Sequence, residues 1–367
     1  MMVRTSPKAA LHRPSTTDDD ARSATLAINE ARALVDDLFA ARPIIYWTDL
    51  LLTLAVAYPV GAIYLSAPPF SLLQGISFLI TGFALFRAGS FIHEIAHMRG
   101  GQMLSFRIIW NLLCGIPFIM PSHFYENHVD HHNSHHYGTL RDGEYLPLGA
   151  GPVRDIFWFF LQAPFFPLYI ALRLLLSPIT FVHPRLRTWV LEHMSSYVIH
   201  FRHRLTIPKS APRRAWAALE IACSIRLAIM LGVVVIGIYP WGRLVQIYCL
   251  AVFTLLLNHI RNLVAHRYRN TGEPMSHADQ LADSVTITGR RFSTELFFPL
   301  GLRYHALHHL FPAIPFHNLG RAHRRLMDQL PADSPYRQTV VPGYWAAVRD
   351  LWLSARASSR VKRPLAA

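Results

Sequence analysis

The chain has 367 residues, of which 52% are apolar and 16% charged, and its mean hydropathy is +0.23. This balance speaks against soluble domains and for one polytopic membrane unit. The formal net charge is +14, and the three cysteines, Cys114, Cys223 and Cys249, form neither a CxxC pair nor a disulfide framework, which excludes thiolate metal binding.

Residues 1–40 are polar and mixed in charge, with an Ala-rich helical run from about Ala24. No apolar stretch follows the first arginine, as a signal peptide requires. Residues 44–66 predict a first membrane span, because 23 residues rise about 34 Å as a helix against a hydrocarbon core of about 30 Å. Ala67-Pro68-Pro69 turns the chain, and residues 70–92 predict a second span with Arg87 near its end. Residues 106–120 are apolar but would rise only about 22 Å, which predicts a re-entrant or interfacial segment. Residues 155–182 are apolar and aromatic but interrupted by Pro164, Pro167, Arg173 and Pro178, and are expected to lie in the interface. A basic stretch, 183–214, precedes a third span over 217–239 and a fourth over 244–263, joined by Pro240-Trp241-Gly242.

The expected fold is therefore all-α and integral to the membrane. Four transmembrane helices form two hairpins and carry a cytoplasmic helical cap, in a domain over 41–330 followed by a cytoplasmic tail over 331–367. The loops at 67–69 and 240–243 hold a single arginine, Arg243, whereas the basic stretches lie on the other side. The positive-inside rule then places both termini and all histidine clusters in the cytoplasm. It also accounts for the net charge without a nucleic-acid partner.

Histidine carries the chemistry. The run His128-Val129-Asp130-His131-His132-Asn133-Ser134-His135-His136 holds five histidines in nine residues, which share one side if the segment is helical. His93 and His97 stand four apart, His305, His308 and His309 cluster again, and Asn262 and His266 stand four apart after the last span. Imidazole is a neutral ligand for Zn, Cu, Fe and Ni, so each group is a candidate metal face. Groups on opposite sides of a bilayer cannot share a metal. The first, second and third clusters must therefore be separated by even numbers of crossings, which requires that neither 106–120 nor 155–182 crosses.

The spacing of these clusters resembles the membrane fatty acid desaturases and hydroxylases, with boxes HxxxH, HxxHH and HxxHH. The matching residues are His93-Glu94-Ile95-Ala96-His97, His132-Asn133-Ser134-His135-His136 and His305-Ala306-Leu307-His308-His309, and the resemblance covers residues 44 to about 330. Box two has two registers, since His128-His131-His132 fits as well. In the sphingolipid-type branch an Asp-Gly pair follows box two, and Asp142-Gly143 stands at that distance from His136. The expected ligands are thus His93, His97, His132, His135, His136, His266, His305, His308 and His309, with His128 and His131 beside them. Asn262 and His266 resemble the Asn-xxx-His pair that completes the iron shell in animal acyl desaturases.

The resemblance implies two iron ions, O2 as co-substrate, a fatty acid or acyl-lipid substrate within the bilayer, and an external electron donor of ferredoxin, rubredoxin or cytochrome b5 type. It implies O2-dependent oxidation of an unactivated C–H bond, with desaturation the expected outcome on family frequency. Hydroxylation and oxidative decarboxylation to a terminal alkene are the alternatives. Glu94, Asp130, Asp142, Glu144, Asp279, Asp283 and Glu295 are candidates to orient the imidazoles. Two other classes compete. His93-Glu94-Ile95-Ala96-His97 is also an HExxH, the motif of zinc proteases. A His-rich metal transporter is the other, although no acidic or histidine pair sits mid-span.

Overall fold

The computed structural model describes residues 28–98 and 101–361. Most of the polar N-terminal segment expected over 1–40, and the last six residues of the expected tail, lie outside the described residues.

Pro43 opens helix α1 (Pro43–Ser66) at a position where a missing N–H costs nothing. The helix stops at Ala67, whose extended backbone is what a residue before proline adopts. Helix α2 (Leu72–His97) starts on Ser71, whose side chain accepts from Gln74 N. The two form a hairpin, and Arg87, the flaw in the second predicted span, donates in bidentate fashion to Asp49 of α1. A charge pair between neighbouring helices removes the cost of either charge alone in lipid.

The 106–120 segment descends and folds back. Helix α3 (Leu104–Trp110) continues into a π-helical turn, Asn111–Gly115. Trp110 Nε1 donates to Ala88 O (2.8 Å), and Tyr58 OH donates to Leu113 O (2.6 Å), deep along the hairpin. Asn111 then clamps the returning strand, donating to Ser122 Oγ (2.9 Å) and accepting from Ser122 N (3.1 Å). After it comes α4 (His128–His131), only four residues long.

Among the described residues five helices, not four, are long and apolar enough to cross a membrane: α1, α2, α5 (Arg154–Leu175), α6 (Arg213–Val235) and α7 (Gly242–Asn262). The additional one is α5, which carries Pro164 and Pro167 inside it. It packs between α6 and α7. Just before α5, Gly149 N donates to Tyr268 O (2.9 Å), beyond the end of α7. At its other end, Leu174 O accepts from Ser224 Oγ (2.7 Å) in the first half of α6. These ties hold the start of α5 beside the end of α7 and its other end against the middle of α6.

That corner is closed by a buried ion network. Glu220 of α6, fully buried, pairs with Arg173 (2.7 Å), accepts from Arg187 (2.7 Å) and from Ser177, and lies 3.9 Å from His123.

The cap is helical apart from a two-residue parallel pair, β1 (Thr286–Ile287) with β2 (Val340–Val341). Around it stand α8 (His277–Asp283), α9 (His305–Leu310), α10 (Phe316–Gln329) and α11 (Tyr344–Val361). Isolated bridges join His266 to Ser284 and Thr286 to Tyr304, so the small sheet ties the chain after α7 to the third box. The expected tail is part of this cap: Ala347, Leu351 and Ala355 pack with Phe159 and Val285. Ala31, Val35 and Leu38 pack against Leu319, Ala322 and Leu326 of α10.

Candidate metal centre

Four stretches far apart in sequence bring imidazoles to one place. The end of α2 supplies His93 and His97, α4 and its cap supply His128, His131 and His132, the segment after α7 supplies His266, and α9 supplies His305, His308 and His309. They sort into two groups, each with its ligand nitrogens within 4.8 Å of one another: His93, His97, His128, His132 and His308, and beside them His131, His266, His305 and His309.

Within each group nitrogen faces nitrogen. In the first, His132 Nε2 lies 3.1 Å from His128 Nε2 and 3.0 Å from His308 Nε2. In the second, His266 Nε2 lies 3.1 Å from His131 Nε2 and 2.9 Å from His305 Nε2, and His309 Nε2 lies 3.1 Å from His305 Nε2. Ring nitrogens this close either share a proton in an N–H···N hydrogen bond or ligate a common cation. With metal–nitrogen bonds of about 2.1 Å, ligands at right angles stand about 3.0 Å apart. Both nitrogens of His93, together with Nδ1 of His132 and His305, are buried without a hydrogen-bond partner. The residues therefore fit a metal pair, and the all-imidazole donor set suits iron, copper, zinc or nickel.

The outer nitrogens are held by the fold. His131 Nδ1 meets both oxygens of Asp142 (3.0 and 2.9 Å), and His128 Nδ1 meets Glu144 Oε1 (2.8 Å). His266 Nδ1 meets Tyr137 OH (2.7 Å), which itself donates to Asp283 Oδ2 (2.8 Å). Gln280 meets His309 Nδ1 at 3.1 Å. A carboxylate or a hydroxyl oxygen there keeps the proton on Nδ1 and leaves Nε2 free to ligate. Asp142 reaches back because Gly138 takes a left-handed turn (φ +69°) and donates its N–H to Asp142 Oδ2 (2.9 Å).

Burial pushes His128, His132, His266, His305, His308 and His309 well below the ordinary imidazole range, so they are neutral, ligating bases at neutral pH. Burial also pulls His131 down, but the Asp142 carboxylate outweighs it and raises the ring. Burial pushes Glu144 up to about 7. Asp142→Asn is expected to weaken metal binding about 10–100-fold without unfolding the chain, measured by competition with a chelator.

Seven of the nine expected histidine ligands, His93, His97, His132, His266, His305, His308 and His309, are brought together. His135 and His136 are not; the groups hold His128 and His131 instead, which is the other register of box two. The helix assumed for the whole run stops at His131, and His132 caps it. His135 is exposed, and His136 Nδ1 turns away to Asp130 Oδ1 (2.8 Å). His128 and His131 take their places. Asp142-Gly143, which favoured the other register, has its own work: Asp142 holds His131, and Gly143 O accepts from Ile199 N and His200 N. Asn262 belongs to neither histidine group, but lines a cavity between them with His93, His128, His131, His266 and His305.

Of the carboxylates expected to orient imidazoles, Asp142, Glu144 and, through Tyr137, Asp283 do so. Glu94 instead accepts from Tyr46 OH and Phe316 N, Asp279 closes a capping box with Ser276, and Glu295 pairs with Arg303. Sequence reasoning missed Tyr137 and Gln280, because neither residue type marks itself as a histidine partner.

Comparison with known proteins gives two findings. The family described as fatty acid desaturase matches residues 67–340. A ceramide hydroxylase of Caulobacter vibrioides (strain NA1000 / CB15N) is 37% identical over 338 residues, covering 89% of this chain and 93% of that protein.

Proposed function

The chain belongs to the fatty acid desaturase family, and from that premise we propose that it hydroxylates an unactivated carbon of a ceramide-type lipid. Membership makes it a membrane-bound oxidoreductase of the non-haem di-iron type. The observation that carries the proposal is the pair of adjoining all-imidazole groups, five histidines beside four, in a chain 37% identical over 338 residues to a ceramide hydroxylase. Family frequency alone favoured desaturation, and the hydroxylase relative moves our reading to C–OH formation.

Overall, C–H, O2, two electrons and two protons give C–OH and water. When bound, an iron pair supplies the oxidising power for that exchange. The first ion would be held by His93, His97, His128, His132 and His308, and the second by His131, His266, His305 and His309. These ligands add no negative charge, which keeps the centre electron-poor. Asp142, Glu144 and Tyr137 fix the ring orientations, and burial of the imidazoles keeps bulk water from the reacting carbon. The basic stretches on one side support an orientation with this centre facing the cytoplasm. We read α5 as entering the membrane and returning, which leaves an even number of crossings between His132 and His308.

A zinc protease is disfavoured, because Glu94 is engaged by Tyr46 and Phe316 and both histidines of the motif join a five-histidine group. The test is mass spectrometry of lipids from cells expressing the chain. Ceramide heavier by one oxygen atom supports the reading, whereas ceramide lighter by two hydrogens returns it to desaturation. Purified chain with O2 alone is expected to give no product, and an added ferredoxin, rubredoxin or cytochrome b5 type reductant to restore turnover.

A further inference from the structure

Helix α11 has two faces. Ala347, Leu351 and Ala355 turn inward and pack with Val285 and Phe298, and Ser354 Oγ donates to Gly149 O (2.9 Å). Trp345, Arg349, Trp352 and Arg356 are exposed, and they fall within about 60° of one another on a helical wheel. Leu353, exposed as well, flanks them. The helix has a single carboxylate, Asp350, which lies off this stripe and lines a small cavity with Arg267 and Arg269. Trp345 is 78% exposed, and an indole left in water uncovers a large apolar area.

The neighbour of the stripe says what covers it. Trp352 meets Phe157 of α5, with ring centroids 6.1 Å apart. Phe157, Leu161, Phe165, Leu168 and Leu172 are all exposed and share one side of α5, a candidate membrane span. Acyl chains are the medium that suits such a side. Phe157 stands in the first turn of α5, so Trp352 sits where acyl chains give way to headgroups. Tryptophan is enriched at that level, and an arginine there keeps its stem in apolar surroundings while its charge reaches a phosphate.

We propose that α11 is an in-plane membrane anchor. Trp345 and Trp352 enter the interface, and Arg349 and Arg356 bind the phosphates of anionic phospholipid in the leaflet beside the metal centre. Val285, against which the helix packs, accepts from Ala306 N in the third box (3.2 Å). The anchor thus holds the histidine-bearing cap against the bilayer, whichever oxidation the centre performs.

The experiment uses the full-length, iron-loaded protein in lipid nanodiscs. One set is phosphatidylcholine alone, and the other is phosphatidylcholine and phosphatidylglycerol in equal parts. Leu353→Cys, combined with Cys249→Ser, carries a nitrobenzoxadiazole label, since Cys114 and Cys223 are buried. Quenching by a lipid with a spin label at headgroup level is compared with quenching by iodide in the water. In the mixed discs the label is expected to meet the lipid quencher and to be shielded from iodide. Arg349→Gln with Arg356→Gln should lower the ratio of lipid-facing to water-facing label about fivefold for each charge removed. The loss should be much smaller in phosphatidylcholine alone, and the melting temperature should stay that of the wild type. Arg349→Lys with Arg356→Lys should keep the ratio. Free access of iodide to the label in both sets of discs overturns the proposal and leaves the stripe to a soluble partner. Shielding from both quenchers, with two chains in each disc, overturns it in favour of a second copy of the chain. So does an unchanged ratio in the Gln variant, or a loss that comes with a lower melting temperature and is shared by the Lys variant, which makes the arginines structural.

Discussion

His131→Ala is expected to abolish turnover and strip much of the bound metal, whereas His135→Ala keeps both within about twofold. The loss at His131 should go well beyond the about 10–100-fold that a supporting residue costs. His131 is buried, its Nε2 lies 3.1 Å from His266 Nε2, and its Nδ1 is held by Asp142. His135 is exposed, and its backbone N–H donates to Asn133 Oδ1 (3.0 Å) within a turn. Metal analysis and product formation on both variants decide between the two registers of box two. Retained metal and activity in His131→Ala would return the ligand role to His135 and His136.

Glu220→Ala is expected to cost about 3–5 kcal/mol of stability, because it leaves buried cations without their partner. Arg173 is 2% exposed at its side chain and Arg187 14%, and both rest on this one carboxylate. The network joins the end of α5 to α6 and reaches His123, five residues before His128, so its loss should loosen the second box as well as the bundle. Replacing Glu220, Arg173 and Arg187 together by methionine should recover most of the loss, since apolar side chains of similar size carry no desolvation cost. Thermal unfolding of detergent-solubilised protein measures both. A Glu220→Ala chain that melts with the wild type would show that lipid or water already solvates the arginines.

Much of the centre was legible because metal chemistry writes itself in one residue type. Six of the eight ligands expected from the histidine boxes meet in space, with His266 beside them, and the fold-back of 106–120 followed from its length alone. What failed shows what spacing cannot carry. The nine-residue run in box two treated as one helix puts five histidines on one face, but Asn133 ends the helix by accepting from His135 N and redirects the chain. Helix α5 has the apolar composition of a span, and only its hydrogen bonds to Tyr268 and Ser224 show where its ends go. Tyr137 orients His266 across 129 residues, a relation no local pattern records.

The nine imidazoles sit on the bundle and on the cap, with His93 and His97 on one and His305, His308 and His309 on the other. Bound ions would therefore act as rivets between these two parts of the chain. Removal of the metal by a chelator is therefore expected to raise the protease sensitivity of the segment that carries His305, His308 and His309.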